Sequence, residues 1–201
     1  MKEDLDPIKK TLLKKHYLNS IPNIKKNGDI DRILDLIPRE YIDAAVNYLV
    51  SNGLIDEDGG ITNKGRKYIK VGLVGGVFDI LHIGHIHLLR EAKDRVDVLI
   101  VVIATDDTVK KMKNREPLHT QEWRREVITS LRYVDAAIIG DEKEFRIPLI
   151  KVNPDVIILG YDQKIPPGIS GDDLKYREVV KLNLKIYDVK TSKIIEKLNL
   201  L

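Results

Sequence analysis

From Val71 onward, continuous apolar runs alternate with helical stretches. Apolar runs rich in β-branched residues are typical of parallel strands that are buried on both faces of a sheet. The sequence predicts strands within 70–78, 96–104, 135–140, 154–160 and 184–189, and intervening helices at 84–95, 120–132 and 172–182. This alternation predicts an α/β fold with an open, Rossmann-like parallel sheet over residues 70–201.

Residues 1–69 show a helical period instead. Two apolar sets repeat at i, i+3, i+4 and i+7, and each predicts a stripe on one helix: Ile30, Ile33, Leu34, Ile37 and Ile42, Ala45, Val46, Leu49. Pro38 suits the start of the second helix, because its missing N–H costs little there. Asn52-Gly53 suits its end. We therefore expect a small helical domain over residues 1–69.

The segment "LIDEDGGIT" (54–62) predicts two short strands around a Gly-Gly turn. The helices and this hairpin, with "NGLI…GGITNKGRKYI" (52–69), resemble a winged helix-turn-helix domain, which implies DNA as a partner. The expected recognition helix at 39–51 carries Arg39 but also Glu40 and Asp43, whereas DNA readers usually show a basic face. A dimerisation or docking role therefore stays open beside DNA binding.

The composition allows a sizeable core. Of 201 residues, 43% are hydrophobic and 32% are charged, and the net charge of +3 is too balanced to indicate nucleic-acid binding. The absence of cysteine excludes disulfides, thiolate catalysis and cysteine-based metal sites. The sequence shows no secretory signal and no apolar run long enough for a membrane helix, so we expect a cytoplasmic protein without a membrane partner.

Candidate chemistry is concentrated in "FDILHIGHIHLL" (78–89), at the end of the first predicted strand. Gly75-Gly76 would let a ligand approach the backbone, and a helix that begins near Gly84 would offer free N–H groups to an anion. His82 and His85 share one face of that helix start. Imidazoles beside a phosphate can donate hydrogen bonds to charge that grows in a transition state.

A metal site formed by Asp79, His82 and His85 is the main alternative. The two glycines favour a ligand larger than an ion, so we expect no metal held by the protein alone. The phosphate loop G-x-x-x-x-G-K-[ST] and the motif G-x-G-x-x-G at the first turn are both absent from the sequence.

The segment "GGVFDILHIGHIHLLREAK" resembles the signature of the cytidylyltransferase-like nucleotidylyltransferases, G-x-F-D-x-x-H-x-G-H. The resemblance implies that His82 and His85 are catalytic. It also implies a set of nucleotide-binding residues in the same segment: Gly75, Gly76, Val77, Phe78, Asp79 and Gly84. Class I aminoacyl-tRNA synthetases share H-x-G-H but need a far longer chain.

Two later blocks extend the resemblance. Residues 105–140 match the next block of the family, which implies catalytic roles for Lys113 and Arg124. Residues 153–163 match the segment near the nucleotide base, which implies that Gly160 and Asp162 bind the nucleotide. The family often ends with R-T-x-G-I-S-T, but this chain has "VKTSKIIEKL" (189–198), where Thr191 or Ser192 could touch a phosphate and Lys190 or Lys193 could replace the missing arginine.

The resemblance implies transfer of a nucleoside monophosphate from a nucleoside triphosphate to a phosphate-bearing acceptor, with release of pyrophosphate. It implies Mg²⁺ bound through the nucleotide phosphates and a homodimer. The later blocks are most similar to archaeal-type FAD synthetases, which join ATP to FMN. CTP:glycerol-3-phosphate cytidylyltransferases are the alternative, and a ligand-sensing regulator that binds DNA through residues 1–69 is the alternative of another class.

Overall fold

A mostly parallel sheet organises the protein. The computed structural model describes residues 4–175, 177–183, 194 and 197. Its strands are β1 (Lys25–Lys26), β2 (Val71–Gly76), β3 (Val98–Ile103), β4 (Ala136–Ile139), β5 (Val156–Leu159) and β6 (Glu178–Lys181). The order is β1-β4-β3-β2-β5-β6, and every pair is parallel except β1 with β4. The predicted α/β class and Rossmann-like sheet are confirmed.

Helices connect the strands and precede the sheet. They are α1 (Pro7–Asn19), α2 (Asp29–Asp35), α3 (Arg39–Ser51), α4 (Asn63–Arg66), α5 (Ile83–Lys93), α6 (Asp106–Lys113), α7 (Gln121–Thr129), α8 (Arg146–Val152) and α9 (Gly171–Leu174). The α3 bounds follow the predicted signals, because Pro38 precedes the helix and Asn52 closes it. No helix in the described part of the chain is both long enough and apolar enough to cross a membrane.

The alternation of side chains along the strands divides the core into two clusters. On β3, Val98 and Ile100 join one cluster, whereas Leu99 joins the other. Buried residues of α5 and α7, such as Leu89 and Ile128, cover the second face. The sheet is therefore buried on both faces, as continuous apolar strands require.

The N-terminal helices cover the other face of the sheet. Leu13 of α1 and Leu49 of α3 are fully buried in the same cluster as Val98 and Ile100. The hydroxyl of Tyr17 donates to the carbonyl oxygen of Val152, at the end of α8, over 2.5 Å. Burial raises the pKa of this phenol far above its ordinary value. The domain boundary at residues 69 and 70 stays a prediction, and the parts on either side of it share one core.

The winged helix-turn-helix resemblance is not confirmed. The predicted hairpin at 54–62 is reduced to a single antiparallel bridge between Ile55 and Ile61. The strand β1 pairs with Ala136 and Ala137 of the main sheet. The first predicted apolar stripe also differs, because Ile33 is half exposed and α2 ends before Ile37.

The predicted helix at 172–182 is wrong. The structure has the short α9 followed by β6, whose residues pair with β5 from Val156 to Leu159. Val179 and Val180 favour a strand because they are β-branched, and β5 offers them an open edge. The predicted strand at 184–189 lies outside the described residues.

Sequence reasoning missed α6 and α8. Thr105 caps α6 by accepting a hydrogen bond from the Thr108 N–H, and this cap was visible in the sequence. Pro148 obscured α8, although a proline in the first turn of a helix is tolerated. Two residues of β1 are too short a segment to produce a period.

We expect Tyr17→Phe to lower the free energy of unfolding by about 1–2 kcal/mol, because the buried Val152 carbonyl loses its donor. Since residues on both sides of position 69 share one core, denaturation followed by circular dichroism should show one transition that moves as a whole. Tyr41→Phe, at an exposed position, is the control. Two separate transitions in the wild-type chain would contradict the shared core.

Candidate functional site

The order of the strands creates a crevice beside β2. This central strand pairs with β3 on one side and with β5 on the other. The chain leaves β2 toward β3 and leaves β5 toward β6, so the connections after these two neighbouring strands run in opposite directions. Open α/β sheets bind their ligands at such a switch point. Gly75-Gly76 ends β2 and Gly160 follows β5, which places these predicted site residues at the crevice.

Gln163 ties the two sides of the crevice together. Its Nε2 donates to the carbonyl oxygen of Gly75 over 2.9 Å, and its Oε1 accepts from the N–H of Gly160 over 2.8 Å. The two backbone loops are thereby held at a fixed separation. Sequence reasoning did not single out Gln163, although it lies in the quoted segment 153–163.

The two histidines lie face to face at the start of α5. The ring centroids of His82 and His85 are 3.8 Å apart and the rings are 23° from parallel. His82 is the N-cap residue, and the first intrahelical acceptor is its own carbonyl, bonded by the N–H of His85 over 2.9 Å. The N–H groups of Ile83 and Gly84 come before the first intrahelical hydrogen bond, so the helix offers them no acceptor. Such N–H groups at the start of a helix can bind an anion.

Both imidazoles carry unused polar atoms. The Nδ1 atoms of His82 and His85 are buried and have no hydrogen-bond partner within the described residues. Burial, reinforced by the neighbouring His82, lowers the pKa of His85 to about 4, while Asp162 opposes this shift. Burial also lowers the pKa of His82. Near pH 7 both rings are therefore neutral, and each has one N–H donor for a bound anion.

The position of the Phe78 ring explains why residue 76 is a glycine. Its backbone has a φ of 53°, and the edge of its ring contacts the His85 ring at a centroid distance of 5.1 Å. A Cβ at Gly76 would lie 2.5 Å from the Phe78 ring, so a side chain there would displace the aromatic support of His85. A Cβ at Gly75 would meet no protein atom within 4 Å. Of the pair, Gly75 is the one that faces open space.

The Asp79 side chain is engaged by the protein itself, and its predicted contact with the nucleotide stays a prediction. Its side chain is fully buried and accepts from the N–H groups of Leu118 and His119 and from the Arg115 guanidinium, at 2.9–3.1 Å. Burial acts to raise the pKa of Asp79, but these hydrogen bonds outweigh it and hold the pKa below its ordinary value. Asp79 is a positioning residue for the loop between α6 and α7.

Arg124 holds loops of the site in this structure, and the catalytic role that the resemblance implies for it stays a prediction. Only 1% of its surface is exposed. Its Nη1 donates to the carbonyl of Val77 over 2.7 Å, its Nε to the carbonyl of His119 over 3.0 Å, and its Nη2 to the carboxylate of Asp106 over 2.6 Å. The described role of Val77 is therefore a backbone one: its carbonyl oxygen accepts a hydrogen bond from Arg124.

Two of the remaining predicted residues, Lys113 and Asp162, lie at the surface. Lys113 is exposed at the end of α6, where Asn114 closes the helix in the left-handed conformation. Asp162 is exposed and close enough to His85 to influence its charge. Thr191 and Ser192, with Lys190 and Lys193, lie outside the described residues.

The described residues do not form a metal site made of protein ligands alone. The described part of the chain contains no group of three or more acidic or histidine side chains arranged to coordinate one. Of the three ligands considered from the sequence, Asp79 is committed to Arg115 and the loop backbone. Asp162 is a carboxylate that lies near enough to His85 to raise the pKa of that imidazole.

Comparison with known proteins gives concordant matches. The family described as cytidylyltransferase-like matches residues 73–197. The FAD synthase of Pyrococcus abyssi is 45% identical over 141 residues, which cover 67% of this chain and 95% of that protein. The FAD synthase of Thermococcus kodakarensis is 43% identical over 140 residues, with 66% and 93% covered. Residues 1–72 lie outside the family match.

One solved structure supports the fold. The lipopolysaccharide core biosynthesis protein of Thermoplasma volcanium GSS1 superposes with a TM-score of 0.52 at 37% sequence identity, and the match covers 57% of this chain and 96% of that one.

We expect Arg124→Ala to destabilise the protein by about 3–5 kcal/mol, because the Asp106 carboxylate and two carbonyls lose their buried donor. Urea denaturation gives the measurement. Arg125→Ala, one position along the same helix and without these bonds, is the matched control. Equal stability of the two variants would show that the buried guanidinium does not hold the loops.

His85 should titrate far below an ordinary histidine. Its pKa of about 4 lies below the usual 6.5, so the unfolded chain takes up a proton between these values while the folded chain does not. The free energy of unfolding is therefore unaffected by His85 above pH 6.5, and it decreases as the pH falls from 6.5 toward 4, because protonation of His85 then favours the unfolded chain. In NMR titrations the His85 ring should stay neutral at pH 5.5, and adding pyrophosphate should raise its pKa. A His85 that titrates normally in the free protein would contradict the buried environment.

Proposed function

The chain belongs to the cytidylyltransferase-like family and is a nucleotidyltransferase, and on that basis we propose that it is an FAD synthetase, which transfers AMP from ATP to FMN. The observation that carries the proposal is the pair of neutral, stacked histidines at the start of α5. The names of relatives that are 43–45% identical along more than nine-tenths of their length support FMN as the acceptor.

The proposed reaction needs no covalent enzyme intermediate. A phosphate oxygen of FMN attacks the α-phosphorus of ATP, a new P–O bond forms, and the bond from the α-phosphorus to the bridging oxygen breaks. Pyrophosphate leaves with the bonding electrons. His82 and His85 donate hydrogen bonds to the α-phosphate and the bridging oxygen, where negative charge grows, and the N–H groups of Ile83 and Gly84 add to that stabilisation.

The other site residues bind and align the substrates. Gly75 leaves room for the nucleotide, and Gln163 keeps the loops after β2 and β5 at the separation that the nucleotide requires. Lys113, exposed on the loop side, supplies a positive charge to the acceptor phosphate. Gly160 and Asp162 line the nucleotide side, and Thr191 or Ser192 completes the phosphate contacts.

Mg²⁺ fits the proposal as an ion carried by the nucleotide. Mg²⁺ is commonly held by substrate phosphates and water with only one or two protein carboxylates, and the described residues contain no group of three or more acidic or histidine side chains that could hold it alone. When bound, it would neutralise charge on the leaving pyrophosphate. The contribution of the chain is to orient the phosphates on α5 and to keep both imidazoles uncharged before substrates bind.

The alternatives have less support. Transfer of CMP from CTP to glycerol 3-phosphate uses the same histidines, and it differs in base and acceptor. For DNA regulation, the exposed side chains of α3 include Glu40 and Asp43, which disfavour contact with DNA phosphates. The homodimer and the cytoplasmic location stay predictions.

A pyrophosphate-release assay tests the proposal. The purified chain is incubated with Mg²⁺ and with ATP or CTP, each crossed with FMN or glycerol 3-phosphate, and the products are identified by mass spectrometry. ATP with FMN should yield FAD and pyrophosphate. CDP-glycerol from CTP and glycerol 3-phosphate, without FAD from the other pair, would replace the proposal with its alternative.

We expect His85→Ala to lower kcat about 10²–10³-fold, because one donor to the growing charge is lost. His87→Ala, on the same helix but paired with Arg90, should retain wild-type turnover. Steady-state kinetics with ATP and FMN provide the comparison, and circular dichroism checks that both variants fold. Normal turnover by His85→Ala would remove this residue from the chemistry.

A further inference from the structure

Trp123 is an exposed aromatic residue on an otherwise charged helix. It is the single tryptophan of the chain, and 65% of its surface is exposed on the first turn of α7. Val127, one helical turn later, and Leu118, before the helix, are also exposed. A large indole in water contributes nothing to the core, so the fold does not explain this side chain.

A chain of contacts connects Trp123 to the histidine pair. The Trp123 and His119 rings lie with centroids 6.3 Å apart at 43°. The N–H of His119 donates to the Asp79 carboxylate, and its ring Nδ1 lies 3.0 Å from the Asp79 carbonyl oxygen. Asp79 follows Phe78, whose ring contacts His85. These contacts link the segment that carries the indole to the histidine pair, although the indole does not touch the histidines.

FMN, the proposed acceptor, requires a binding surface for its ring system at some distance from the histidine pair. In FMN, a flexible ribityl chain separates the reacting phosphate from the planar isoalloxazine. When the phosphate reaches His82 and His85, the ring system must lie away from them, against another part of the protein. Aromatic side chains bind planar heterocycles by stacking, and that contact is tolerant of substituents.

We propose that Trp123 is the stacking platform for the isoalloxazine ring of FMN, with Leu118 beside it; this inference rests on the proposed function. A single planar ligand suits the surface better than a second protein copy. The same helix exposes Glu122 and Glu126 beside the indole, whereas the cores of protein–protein interfaces are depleted of such charges.

The single tryptophan gives a direct binding measurement. Titration of the wild-type protein with FMN in the absence of ATP should quench tryptophan fluorescence to saturation, and riboflavin, which has the ring but no phosphate, should also quench. Glycerol 3-phosphate should leave the signal unchanged. N-acetyltryptophanamide at the same absorbance corrects for the light that flavin absorbs. Absence of saturable quenching by FMN would overturn the inference.

Kinetics of two variants distinguish stacking from a structural role. Trp123→Ala should raise the KM for FMN roughly 10-fold and leave the KM for ATP and kcat nearly unchanged, because stacking binds ground and transition states alike. Trp123→Phe should recover part of the loss. Ile150→Ala, which removes an exposed apolar side chain on α8, should match the wild type.

The outcomes separate the two proposals. If the wild type makes FAD and Trp123→Ala has an unchanged KM for FMN, the stacking platform is wrong and the FAD synthetase stands. If the wild type makes no FAD, the proposed function fails, whatever the variant does. If Trp123→Ala instead converts a dimer to a monomer in sedimentation experiments without changing the KM for FMN, the indole belongs to an interface between copies.

Discussion

The buried guanidinium of Arg124 is the interaction on which the site depends. A permanent positive charge is costly to remove from water, and it is tolerated only where acceptors surround it. Here the acceptors come from three places in the chain: the carbonyl that follows the glycine pair, the first residue of α6, and the loop before α7. Satisfying one side chain therefore forces three loops to converge at the carboxyl end of the sheet.

Asp79 makes the complementary connection with negative charge. It holds the loop between α6 and α7 through backbone N–H groups and Arg115, while its neighbour Phe78 supports His85. In this arrangement the buried charges of Asp79 and Arg124 hold the loops in place, and the two histidines of the candidate site are neutral. Neutral imidazoles in a partly dry crevice keep their N–H donors available and bring no charge of their own to be solvated.

The sequence was sufficient for the four central strands and for the two histidines, because both have local signals. Apolar runs located β2 to β5, and the spacing of His82 and His85 placed both on the start of one helix. The roles of Asp79 and Arg124 could not be predicted in this way, because all but one of the partners described for them lie 18–47 residues away along the chain. A motif identifies a residue that matters, and tertiary contacts decide whether it faces the ligand or the protein.

The strand β1 has a consequence for association. Each outer strand of a sheet offers unpaired backbone groups to other chains. In the described sheet, one outer strand is β1, with its two exposed lysines, and the other is β6, whose ends are Glu178 and Lys181. Both are short and charged, which are the features that natural proteins use to discourage strand addition. Within the described residues, the charged ends of these two outer strands therefore disfavour edge-to-edge pairing between copies of this chain in a crowded solution.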